Sequence, residues 1–292
     1  MKMNYPLFFL LPILLLSMSG CDVIDNPDGP PAPVIPFCTD TPSFESRSTP
    51  LVKVLLEDYT GHRCGNCPLA AKELHDLQEM YPGQVVGMAV HAQAAGYFTA
   101  PKTGSKFTHD FRNEVSNTLD DFFQVAATGL PKGVINRKTV NGAYDLPLSI
   151  WGQVLQQELN LEQRADIQIK SIWDSTTSSL CAFVFVEDIS GSLPDSLMLS
   201  MYLTENNFVN WQADYSIPGE EIEFYEHNHI LRASLGPIWG KPVKMNGNSC
   251  IISFSKNFEG ASWVMSNCNL VAVLQNGLTR EVIQVEEIIA LP

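Results

Sequence analysis

The chain has 292 residues, 45% of them hydrophobic, which is enough for two domains with real cores and excludes disorder throughout. Its 18 Lys and Arg against 32 Asp and Glu give a formal charge of -14, a field that repels phosphate backbones and argues against nucleic acid as a partner. The seven cysteines, at 21, 38, 64, 67, 181, 250 and 268, mean different things in reducing and oxidising compartments, so the compartment has to be read first.

The amino terminus reads as an export signal. Lys2 gives a short positive start, an apolar run over 6–16 is too short to span a bilayer comfortably, and Met18-Ser19-Gly20 stands directly before Cys21. This resembles a bacterial lipobox, which implies cleavage before Cys21, its diacylation through a thioether, and firm tethering to a membrane. The plainer alternative is an ordinary secretory signal with an incidental cysteine. Residues 22–50 are rich in Pro, Asp, Ser and Thr with little periodicity and predict an extended polar tether, so the folded part is expected near Leu51.

Residues 51–56, Leu-Val-Lys-Val-Leu-Leu, predict a buried strand. From Cys67-Pro68 onward, Ala70, Leu74, Leu77 and Tyr81 form one helical stripe, which Pro82-Gly83 stops. A second strand is predicted over 85–91, a helix over 107–123, short strands over 133–137 and 140–144 around Asn141-Gly142, and another helix over 148–161. Right-handed crossovers would make the first strands parallel, with an antiparallel hairpin at one edge and helices on both faces. Beyond Arg164 the period changes. Ile167, Ile169 and Trp173 mark a strand, 180–186 another, and Leu197, Leu199, Met201 and Leu203 alternate strictly. Further strands are predicted at 222–231, 250–254, 270–274 and 281–285, and short strands with no helix between them predict a β-sandwich.

The chemistry centres on Cys64-Gly65-Asn66-Cys67, placed where a strand passes into a helix. Two cysteines so spaced can join and part across the first helical turn without moving the fold. The first lies beside unpaired N–H groups and the positive end of the helix dipole, which favour thiolate over thiol. Cys64 is then the attacking nucleophile, and Cys67, further into the helix, resolves the mixed disulfide. His62 and Arg63 offer positive charge beside Cys64 unless their side chains point away.

These residues resemble the thioredoxin superfamily, over about 51–161. The resemblance implies that Asp58, six positions before the first cysteine, exchanges a proton with Cys67. It also implies that Pro131, in Thr128-Gly129-Leu130-Pro131, follows a cis peptide bond opposite the disulfide. Arg63 stands where the superfamily often has an aromatic residue, and Gly65-Asn66 is an unusual inner pair. A second resemblance spans nearly the whole mature chain. Tyr59-Thr-Gly-His-Arg-Cys-Gly-Asn-Cys-Pro68, the leader, and Tyr225-Glu-His-Asn-His-Ile-Leu-Arg232 look like the Bacteroidetes lipoproteins related to the twenty-eight-kilodalton outer membrane protein. That implies a lipid anchor in the outer membrane, on its periplasmic side or at the cell surface.

The expected organisation is a signal peptide over 1–20, a flexible tether over 21–50, an α/β thioredoxin-like domain over 51–163 and an all-β sandwich domain over 164–292. The expected function is a membrane-tethered thiol-disulfide oxidoreductase, acting on cysteines of exported proteins and served by a redox partner, with no cofactor and no metal. The alternative is a non-catalytic binding or assembly module on the same scaffold. A lone Cys-x-x-Cys is also half a zinc site, but no second pair exists here. An inert structural disulfide and an Asp58 merely solvated at a strand end are the plainer readings of the same residues. His227 and His229 read as hydrogen-bonding strand residues outside the site. Cys250 and Cys268 flank a hairpin or inter-strand region and could bridge, leaving Cys38 and Cys181, a pairing the residues leave open.

Overall fold

The computed structural model describes Cys38 and residues 40–291; the signal segment and the acylation of Cys21 lie outside the described residues. The first elements are β1 (Val54–Tyr59), α1 (Cys67–Met80), β2 (Val85–Val90), α2 (Glu114–Phe123), β3 (Lys132–Ile135) and α3 (Trp151–Leu159). Strands follow: β4 (Ala165–Asp174), β5 (Ser179–Asp188), β6 (Leu197–Glu205), β7 (Phe208–Ala213), β8 (Glu221–His227), β9 (Ile230–Ser234), β10 (Lys241–Pro242), β11 (Ser249–Asn257), β12 (Cys268–Asn276) and β13 (Val282–Ile289). The fold is thus mixed α/β and mostly strands.

β1 is buried along its whole length because it is covered on both faces, which is why it reads as an unbroken apolar run. Val54 and Leu56 pack with Ala70, Leu74 and Leu77 of α1 and Trp151 of α3. Leu55 and Tyr59 face the other way, onto Val115, Leu119 and Phe123 of α2. β1 and β2 are parallel, as expected, while β3 runs antiparallel on the other side of β1. Helix α2 starts later than its apolar residues suggest, because the Asn113 side chain accepts from Ser116 N at 2.9 Å and caps it there. Residues 140–144 form no strand; Val140 and Ala143 make an isolated bridge around Asn141-Gly142.

In the second half, the alternation of Leu197, Leu199, Met201 and Leu203 turns one face of β6 into a core shared with Ile167, Leu180, Val184 and Phe254. A three-stranded sheet, β11-β5-β4, supplies that second layer, so the sandwich packing is present. The expected strand over 222–231 is two strands in different sheets: His229 takes a φ of 56°, in the left-handed region, and the chain turns there between β8 and β9.

The proposed boundary at 163/164 is a change of pattern, not a break in the sheet. One eight-stranded sheet runs in the order β13-β12-β6-β9-β2-β1-β3, with β10 also on β6. β9 pairs in parallel with β2, with Ala89 N donating to His229 O at 2.8 Å. The two ends of the sheet also meet, Val282 N donating to Asn136 O at 2.9 Å just beyond β3. Strand β2 would otherwise expose an unpaired edge, and β9 supplies its missing neighbour.

Two further features join distant segments. Cys38 pairs with Cys181, whereas Cys250 on β11 and Cys268 on β12 stand in different sheets and are free thiols. The tether is also not loose over its final stretch. Lys170 Nζ donates to Ser43 O, Gln168 Nε2 donates to Glu45 O, and Phe44 stacks on Phe185 with centroids 5.6 Å apart.

Candidate functional site

Cys64 and Cys67 are joined in a disulfide at the start of α1, with Cα atoms 5.4 Å apart. Cys67 is the first residue of the helix and Pro68 lies in its first turn, where a missing N–H costs nothing. Asp58 reaches the same place from the end of β1. It is 2% exposed, its Oδ1 has no hydrogen-bond partner, and burial pushes its carboxyl up to about 8. At neutral pH it is therefore a neutral acid inside the protein, not a solvated strand-end carboxylate.

The Leu130–Pro131 peptide is cis, as the superfamily resemblance implies. The β1–β3 register pairs Tyr59 with Lys132, which brings Pro131 to the end of the sheet from which the cysteine loop departs. Pro131 is not among the residues lining the cleft at Cys67.

Cys64, expected from sequence to be the attacking nucleophile, is not open to solvent. Both cysteines are only 2% exposed, and the end of β7 with the residues that follow it lies across the loop that carries them. Gln212 Nε2 donates to Cys64 O at 3.0 Å and to Gly61 O at 3.3 Å. Ala213 N donates to His62 O at 2.9 Å, and Tyr215 N donates to Gly65 O at 2.8 Å. The Tyr215 ring packs so closely on Gly65 that a Cβ there would lie 2.3 Å from it.

Of the two neighbours that offered positive charge, Arg63 is engaged with other groups and His62 is neutral. The Arg63 guanidinium lies 3.8 Å from the centroid of the Tyr97 ring and donates to Ala100 O at 3.0 Å. His62 is buried against Phe107 and Phe111, and burial, helped by the nearby Arg63 charge, lowers its pKa to about 4.

Cys67 instead faces a cleft of about 400 Å³, shared with Asp58, His91, Tyr225, His227 and His229. Burial keeps the histidines neutral, with His227 lowered to about 3 and His229 to about 4, and it pushes Tyr225 up to about 12, with Asp58 adding to the rise. His227 and His229, read from sequence as ordinary strand residues, thus line the site. Their signal was the Tyr225 to Arg232 motif. His91 and Gln212 had none, because nothing in the local pattern says that these segments meet Cys67. Among the described residues, no three His, Cys, Asp or Glu side chains converge to hold a metal ion.

A family model described as outer membrane protein Omp28 matches residues 116–290. No curated protein matches the chain significantly. Among solved structures, HBP35 of Porphyromonas gingivalis is similar at a TM-score of 0.61 and 17% identity, covering 84% of this chain and 77% of its own. A protein from Agrobacterium tumefaciens is similar at a TM-score of 0.50 and 12% identity, covering 83% of this chain and 96% of its own. A domain of the outer membrane lipoprotein Omp28 from Porphyromonas gingivalis gives a TM-score of 0.31 at 18% identity, over 45% of this chain and 92% of its own.

Proposed function

The chain belongs to the Omp28 outer membrane protein family, and on that premise we propose that it is an outer-membrane lipoprotein module that binds or assembles partners on a thioredoxin-like scaffold. Family membership agrees with the lipid anchor read from Cys21. No described helix is long and apolar enough to cross a membrane. The observation that carries the module reading is the cover over Cys64: a nucleophile that must meet protein substrates would have to shed the Gln212, Ala213 and Tyr215 contacts first. The test is insulin reduction driven by dithiothreitol, with the full chain in detergent. A rate at the uncatalysed background is expected. Catalysed turnover that Cys64→Ser abolishes would reverse the reading.

The second reading, a tethered thiol-disulfide oxidoreductase acting on exported proteins, is favoured by Asp58, a neutral buried acid lining the same cleft as Cys67. By the superfamily resemblance, Cys64 would attack, Cys67 resolve and Asp58 move the proton, with Pro131 opposite the disulfide.

A further inference from the structure

We propose that the Cys64–Cys67 disulfide captures small thiols covalently, and that the sulfur attacked is Cys67, reached through the cleft at the first turn of α1. This reverses the order of attack that position in the helix predicts. It also goes beyond the module reading, because capture is stoichiometric and needs no turnover.

Access decides which sulfur of a disulfide is attacked. The cleft touches Cys67 but not Cys64, so it approaches the bond from its Cys67 end. The other end is closed by Tyr215, whose ring is seated on Gly65 and whose N–H donates to Gly65 O at 2.8 Å. A volume of about 400 Å³ suits a small molecule, and a folded domain cannot enter it. Asp58, His91 and His227 line this space, and Asp58 Oδ1, His91 Nδ1 and His227 Nε2 have no partner inside the protein, so the walls carry unused polar groups for a ligand bearing amide, amine or hydroxyl groups.

The chemistry balances with thiol as the only co-reactant. The thiol first loses its proton to solvent. The thiolate attacks Cys67 Sγ, a bond forms between its sulfur and Cys67, the bond to Cys64 breaks, and the electron pair leaves on Cys64. Departure as thiolate is favoured there by the amino end of α1, since a more acidic thiol leaves faster. A second thiolate can then attack the captured sulfur and release the external disulfide and the Cys67 thiolate. Two thiols are oxidised, and the protein disulfide takes up the two electrons.

The experiment mixes the oxidised full chain, in detergent, with reduced glutathione. Exchange is stopped with acid, free thiols are blocked with N-ethylmaleimide, and the peptides are mapped by mass. Glutathione on Cys67 and maleimide on Cys64 are expected, about tenfold over the reverse pattern. Tyr215→Ala should raise the adduct on Cys64 while leaving that on Cys67 within about twofold, and Gly65→Ala, whose Cβ displaces the same ring, gives the same comparison should the first variant fold poorly. An adduct mainly on Cys64 in the unaltered chain, no adduct on either cysteine, or an unchanged pattern in both variants would overturn the proposal. Insulin turnover, scored separately, bears on the module reading alone.

Discussion

Arg137 and Glu57 form a fully buried ion pair, Nη2 to Oε1 at 2.8 Å, and the same guanidinium donates through Nη1 to Gln275 Oε1 at 2.6 Å. Glu57 lies on β1, Arg137 follows β3 and Gln275 lies on β12, so one side chain binds the first strands to the last ones. Arg137→Leu would leave a carboxylate buried without its partner, and a loss of about 3–5 kcal/mol is expected in urea unfolding. Adding Glu57→Gln should recover part of it, because the orphaned charge is then gone.

The Cys38–Cys181 bond spans 143 residues and holds the end of the tether to β5. Cys38→Ser or Cys181→Ser should lower stability by about 2–4 kcal/mol, since the crosslink restricts a long loop in the unfolded chain. Equal midpoints with and without the bond in denaturant titration would count against this. Any soluble form should retain residue 38.

Stability should fall on both sides of neutrality. His62, His227 and His229 have pKa values lowered to about 4, 3 and 4, so the unfolded chain binds their protons near 6.5 while the folded chain refuses them. That difference destabilises the fold as pH drops from about 6.5 towards about 4. Asp58 acts oppositely: its folded pKa of about 8 exceeds the unfolded 3.8, so its contribution is complete below 3.8 and is lost as pH rises through 8. Asp58→Asn, an amide close in shape to the neutral acid, should therefore be more stable than the unaltered chain above pH 8 by about 2–5 kcal/mol. The gap should close towards acid pH. Thermal melts across that range check it.

Gly65→Ala should disturb the cover without touching either sulfur. Its Cβ would lie 2.3 Å from the Tyr215 ring, which must swing away, at a cost of about 1–3 kcal/mol. In the reduced protein, Cys64 should then react faster with iodoacetamide; an unchanged rate would mean that Tyr215 does not shelter it.

The parts legible from sequence are those written locally. Pro68 and Pro82-Gly83 bracket α1, continuous apolar runs mark β1 and β2, strict alternation marks β6, and the cis peptide before Pro131 is what the superfamily resemblance implied. What sequence hides is pairing at a distance. Nothing near Ala89 announces Ile230 as its neighbour, and nothing near Gln212 announces Cys64. The break between β8 and β9 was hidden for a different reason. The positive φ there belongs to a histidine, and no glycine punctuates the run.

The way the sheet closes has a consequence for when this molecule comes into being. The outer side of β2 waits for β9, and the buried guanidinium of Arg137 waits for Gln275, 138 residues later. An exported chain that emerges amino end first therefore holds an incomplete site, with a bare strand edge and a guanidinium short of one acceptor, until nearly all of it has crossed. Closure over such distances is slow, and the open edge invites pairing with neighbouring chains in the meantime. A chain interrupted before β12 would lack these partners and be a target for proteolysis, so the carboxy-terminal strands decide whether the amino-terminal site exists at all.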